Sequence, residues 1–164
     1  MSAADVCSRE GLDVPTLSQG TQDELKKFIN LAGASIKNPL DTGLVFRNAS
    51  NMMREMELVI ADPNIDMLIV MPHLDMARHV GLDQVDKMME FLCDYIKNNP
   101  AGKPIVLVFH SFANDPWESE LRTKLRVELP NKGIPVYGTL AGASRALARL
   151  AEYYRFQNAP DMKG

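Results

Sequence analysis

Pro104-Ile105-Val106-Leu107-Val108-Phe109 is an unbroken apolar run, and Asp66-Met67-Leu68-Ile69-Val70-Met71 is a second one behind a single acid. A strand with one wet face alternates apolar and polar residues. A continuous run suits a strand buried on both faces, which is the habit of parallel sheets. Ile134-Pro135-Val136-Tyr137 is a third, shorter run. Each follows a turn signal: Asp62-Pro63-Asn64, Asn99-Pro100-Ala101-Gly102 and Asn131-Lys132-Gly133. Leu12 to Leu17 reads as a fourth strand, placed at an edge because Pro15 has no ladder donor.

Helical patterns fill the spaces between these runs. Ser2 to Arg9 opens the chain as a helix. Thr21 and Glu24 have capping-box spacing, and Leu25, Phe28 and Ile29 supply the apolar face behind them. Met52, Met53, Met56, Val59 and Ile60 predict a helix over 48–61. Leu82, Val85, Met88, Met89, Leu92, Cys93 and Ile96 predict another over 82–97. Leu121, Leu125 and Leu129 place one over 118–129, and Ala143, Leu147, Leu150, Ala151 and Tyr154 one over 141–156. Gly11 and Gly133 read as glycines just past helix ends. Alternating strands and helices imply right-handed crossovers and a three-layer α/β/α domain with a mostly parallel sheet of about four strands. That domain spans 1–156, and 157–164 is a polar tail.

The composition narrows the function classes. The chain has 164 residues, 46% hydrophobic and 24% charged, which fits one globular domain. A net charge of −3 leaves no basic footprint for nucleic acid. No apolar run reaches the roughly 18 residues of a membrane span, and MSAADVCSRE has no signal-peptide pattern. A cytoplasmic domain is the expectation. Cys7 and Cys93 match neither a metal spacing nor a disulfide framework, so both are expected as buried, reduced thiols.

In open α/β sheets, ligands bind at the carboxyl ends of the strands. That selects Met71-Pro72-His73-Leu74-Asp75, His110-Ser111-Phe112-Ala113-Asn114-Asp115, and Gly138-Thr139-Leu140-Ala141-Gly142. Histidine titrates near neutrality, so His73 and His110 invite a role as base or phosphate carrier; a loop histidine in local hydrogen bonds is the commoner case. The histidines are too far apart in sequence for a short metal-ligand motif, and no metal site is expected. There is no complete Gly-x-Gly-x-x-Gly, P-loop or Gly-x-Ser-x-Gly. Thr139 is a candidate N-cap. Asn38-Pro39-Leu40-Asp41 is a rigid turn, able to aim an amide and a carboxylate.

Taken in order, several segments carry a resemblance. Ala3-Ala4-Asp5-Val6-Cys7 runs into Gly11-Leu12-Asp13-Val14-Pro15-Thr16-Leu17-Ser18. Ala32-Gly33-Ala34-Ser35-Ile36-Lys37-Asn38-Pro39-Leu40-Asp41 follows, then Ala61-Asp62-Pro63-Asn64-Ile65-Asp66 and Lys103-Pro104-Ile105-Val106. Gly133-Ile134-Pro135-Val136-Tyr137 and Ala146-Leu147-Ala148-Arg149-Leu150-Ala151-Glu152-Tyr153 complete the series. This order resembles the succinyl-CoA-synthetase-like domain of NDP-forming acyl-CoA synthetases, equivalent to the C-terminal domain of the succinyl-CoA synthetase β subunit. The resemblance covers nearly the whole chain.

The resemblance implies a flavodoxin-like fold. It implies a parent ligase that joins a carboxylic acid to CoA with ATP or GTP and Mg, through an acyl phosphate and a phosphohistidine. The phosphohistidine lies on a partner domain, so His73, His79 and His110 do not inherit it. No cofactor is expected on this domain alone, and it is not expected to be active alone. Its implied partners are CoA-binding and ATP-grasp domains. A helix N-terminus at Ser2 and Ala3 would face the phosphate. Asn38, Asp41, Pro72, His73 and Leu74, with Asp75, would lie on the acyl side. Relatives carry a strand and a glycine-rich turn ahead of that first helix, and neither is in this sequence. The alternative is therefore a non-catalytic assembly or regulatory module of the same fold. A sheet without its first strand also predicts a homo-oligomer that covers the open edge.

Overall fold

The computed structural model describes residues 2–43, 48–74, 79, 81–99, 101–110 and 115–157. Its helices are α1 (Ala3–Arg9), α2 (Gln19–Lys26), α3 (Ala49–Ala61), α4 (Leu82–Asn98), α5 (Pro116–Asn131) and α6 (Leu140–Gln157). Its strands are β1 (Leu68–Val70), β2 (Ile105–Val108) and β3 (Val136–Tyr137). The three strands form one parallel sheet in the order β1-β2-β3. Leu68 stands opposite Ile105, Ile69 opposite Val106, and Val70 opposite Leu107. The expected α/β architecture and parallel pairing are both present.

Strand alternation sorts the apolar runs into two cores. Val70, Ile105, Leu107 and Phe109 pack in one cluster with Met52 and Met56 of α3, Val85 and Leu92 of α4, and Leu121 and Leu125 of α5. Val106 and Val108 pack with Ala143 and Leu147 of α6 on the opposite face, where Ile69 and Met71 also lie. Helices therefore cover both faces, which is why these strands carry no polar alternation. A smaller cluster of Leu17, Leu25, Ile29, Ile36, Val59 and Ile65 sits under α2.

Leu12 to Leu17 forms no strand. Its carbonyls are met by side-chain amides instead of a ladder. Asn38 Nδ2 donates to the Pro15 oxygen at 3.0 Å, Asn64 Nδ2 to Thr16 at 3.0 Å, and Gln22 Nε2 to Leu17 at 2.7 Å. The described sheet accordingly has three strands where the sequence predicts about four.

Two helix starts also differ. Ser18, not Thr21, caps α2: the Thr21 N–H donates to Ser18 Oγ at 3.3 Å. Asp115 caps α5 through the Trp117 N–H at 2.9 Å, and Pro116 takes the first helical position, where its missing N–H costs nothing. Thr139 Oγ1 accepts the Gly142 N–H at 3.1 Å, the capping role expected of it. Lys103 reaches across to the end of α3, donating to the Ile60 oxygen at 2.8 Å and the Asp62 oxygen at 3.0 Å. Those carbonyls are orphaned by the helix end, and a cation there also suits the helix dipole. Both cysteines are free thiols. Cys93 is buried as expected, whereas Cys7 is half-buried, 3.5 Å from Ser144 Oγ. Residues 158–164 of the expected tail lie outside the described residues.

Candidate functional site

The carboxyl ends of β1, β2 and β3 lead into Met71–Leu74, Phe109–His110 and Gly138–Leu140. At the end of β1, Pro72 and Leu74 are buried and His73 is exposed between them. Leu74 belongs to the cluster that contains Met52 and Met56 of α3. Its burial pins the loop down, so His73 is held out at the rim. Phe109 is fully buried and its N–H donates to the Tyr137 oxygen at 3.1 Å, which extends order to the edge of His110. Asp75 lies outside the described residues, as do Ser111 to Asn114.

Helix α1 packs along α6. Cys7 meets Ser144, and Arg145 donates to both Glu10 carboxylate oxygens at 2.8 and 2.9 Å. Residue numbers rise together along the two helices, so they run parallel. Ser2 and Ala3 therefore lie toward the start of α6, at the carboxyl end of the sheet. Ser2 and Asp5 form a closed capping box: the Asp5 N–H donates to Ser2 Oγ at 3.2 Å and the Ser2 N–H to Asp5 Oδ2 at 2.9 Å. The bond from the Ser2 backbone, with that from its side chain, holds the Asp5 carboxyl below its usual range. Two donors of this terminus are thus engaged internally, and an incoming phosphate would meet a carboxylate. The box has to open before this end of α1 can take an anion.

Asn38 and Asp41 share one turn. Asp41 and Ser35 exchange two backbone hydrogen bonds of 2.8 Å, and the Asn38 amide is spent on the Pro15 carbonyl. Thr42, the next residue, donates its hydroxyl to the Glu55 carboxylate of α3, 2.9 Å from each oxygen. Thr42 thereby ties the turn to the middle of α3, whereas Leu74 anchors the segment after β1 in the main core.

Glu55 was not marked by the sequence reading. Burial raises its carboxyl above the usual range, and the Thr42 hydrogen bond offsets this only in part. A signal for it was present: Met52, Glu55, Met56 and Val59 have i, i+3, i+4, i+7 spacing, which puts an acid on the apolar stripe of α3. Glu118, in the first turn of α5, is the other buried acid near this end. One oxygen pairs with Arg122 at 2.9 Å and the other is buried without a partner.

Among the described residues, no three His, Cys, Asp or Glu side chains gather as a metal site. An open, mostly apolar groove of about 400 Å³ lies between the end of α4 and α6, lined by Ile96, Asn99, Pro104, Pro135, Tyr137 and Leu150. Pro104 and Pro135 precede their strands, so this groove opens toward the amino ends, away from the loops just described.

A solved structure shares this fold. The chain is similar to PH0766 from Pyrococcus horikoshii OT3, with 26% identity and a TM-score of 0.68 over 92% of this chain. It spans 32% of the length of that protein. No family model matches the sequence, and no curated protein matches it significantly. Among the described residues, no helix is long and apolar enough to cross a membrane.

Proposed function

We propose that this chain is a succinyl-CoA-synthetase-like domain of an NDP-forming acyl-CoA synthetase, working with CoA-binding and ATP-grasp domains. The observation that carries the reading is the ordered motif set, from Ala3-Ala4-Asp5 through Asn38-Pro39-Leu40-Asp41 to Gly133-Ile134-Pro135-Val136. The flavodoxin-like α/β fold supports it, as does a likeness that occupies only a third of a longer chain. In this reading His73 forms the acyl-side rim on a backbone held by the buried Pro72 and Leu74, and the Asn38–Asp41 turn serves the same side. The end of α1 at Ser2 and Ala3 serves the phosphate once its capping box opens. The phosphorylated histidine, CoA, the nucleotide and Mg belong to the other domains.

A closed capping box with Asp5 inside it favours a second reading, a non-catalytic assembly or regulatory module. One experiment separates the two. The full gene product, with any partner subunit, is mixed with ATP or GTP, Mg, CoA and a panel of short carboxylic acids. Formation of nucleoside diphosphate and acyl-CoA supports the ligase; a stable complex without turnover supports the module. Under either reading we also propose a homo-oligomer. Among the described strands β1 pairs on one side only, and sedimentation giving a monomer at high concentration would refute this.

A further inference from the structure

Helix α6 covers one face of the sheet through Ala143 and Leu147, which pack on Val106 and Val108. Leu150 and Tyr154 continue that stripe at helical spacing. Ala143 and Leu147 are buried, whereas Leu150 is 37% exposed and Tyr154 54%. The stripe therefore runs on past the body it covers. Every residue from Glu152 to Gln157 is exposed, yet the helix keeps an apolar side there. Leu150, Tyr153 and Tyr154 share a face by their i, i+3, i+4 spacing. Phe156, 83% exposed, stands beside it, and Glu152 and Arg155 fall on the opposite side.

A hollow lies next to this projection. Leu150 is also a wall of the apolar groove between the end of α4 and α6, and no charged side chain lines it. We infer that two copies of this chain pair about a two-fold axis beside Leu150, each placing Tyr154 and Phe156 in the groove of the other. An isologous interface needs a knob and its hole on one surface, and here both adjoin the same turns of one helix. Six residues put Phe156 about 9 Å along α6 from Leu150, clear of the groove in its own chain. An aromatic side chain presents about 200 Å², so Phe156, Tyr153 and Tyr154, at 83, 55 and 54% exposed, offer about 380 Å². A standard interface takes about 800 Å² from each partner, roughly 450 to 520 Å² of it apolar. Leu150 and the exposed Pro135 of the groove wall close most of that difference. The inference rests on the homo-oligomer reading above and gives it a surface that does not use the edge of β1.

Sedimentation velocity over a concentration series reads the dimer. The full chain is run beside three variants. The double variant Tyr154→Ser, Phe156→Ser trims the projection, Pro135→Glu charges the groove, and Phe91→Ser changes an exposed aromatic of α4 as the control. All four side chains are exposed, and circular dichroism checks that each variant is folded. The expected result is a dimer whose dissociation constant rises at least tenfold in the first two variants and is unchanged in Phe91→Ser. A chain ending at Gln157 should dimerise as tightly as the full chain; a dimer that forms only after that truncation would make residues 158–164 the occupant and overturn the proposal. A dimer equally tight in every variant overturns this interface and leaves the homo-oligomer standing. A monomer at high concentration overturns both.

Discussion

Replacing Asp62 by alanine is expected to destabilise the fold by about 3 kcal/mol. Asp62 is 1% exposed, and it ties the segment entering α2 to the end of α3. Its Oδ2 accepts the Ser18 N–H at 2.9 Å and its Oδ1 the Asn64 N–H at 2.9 Å. Burial by itself would raise its pKa. The hydrogen bonds from Thr21, Asn64 and Ser18 outweigh burial, and the carboxyl sits below its usual range. A hydrogen bond to a charged group contributes roughly 1.5 to 3 kcal/mol, and alanine would strand two donors at once. Some of that loss is recovered by water entering the gap. Asparagine keeps one acceptor and should cost about half as much. The pH dependence has a definite sign. Because the folded pKa is depressed, the contribution is fully present above the unfolded value of about 3.9 and is lost as pH falls through the folded pKa. Urea unfolding at neutral pH and near pH 3 tests both points. A cost below about 0.5 kcal/mol at neutral pH, or a gap between wild type and Asp62→Asn that widens on acidification, would refute the reasoning.

Phe109 is fully buried beneath α3, α4 and α5, so Phe109→Ala should cost about 3 to 5 kcal/mol in denaturant unfolding. The Glu55 carboxyl is raised by burial; a raised acid weakens the fold as pH climbs from the unfolded toward the folded pKa. Glu55→Gln should therefore be the more stable protein at neutral pH and lose that advantage below about pH 4, as read by thermal melts across pH. Burial also pushes the Cys93 thiol up, so a thiol reagent should modify Cys7 in the native state and reach Cys93 only on unfolding; equal native rates would contradict the packing.

Much of the fold was legible because burial on both faces leaves a periodic trace. The runs around Leu68–Val70 and Ile105–Val108 read as parallel strands, and the stripe of α4 from Val85 to Ile96 read as a helix, since each pattern follows from local geometry and an apolar environment. Leu12 to Leu17 misled for the same reason. Its residue types suit a strand, but strand pairing is a property of neighbours, and the neighbours here are the amides of Asn38, Asn64 and Gln22. The cap of α2 moved from Thr21 to Ser18 because both hydroxyls are competent caps and the Asp62 clamp on the Ser18 N–H fixes the entry point.

The site divides along the same line. Sequence by itself determined which loops follow the strands, because a strand's direction is the direction of the chain. It could not show that Ser2 and Asp5 close on each other, that Glu55 is half-buried against Thr42, or that Lys103 caps α3. Above all it could not show that Val70 falls opposite Leu107. Nothing local relates two positions so distant in the chain; only the register of β1 on β2, set by which side chains share a core face, decides it.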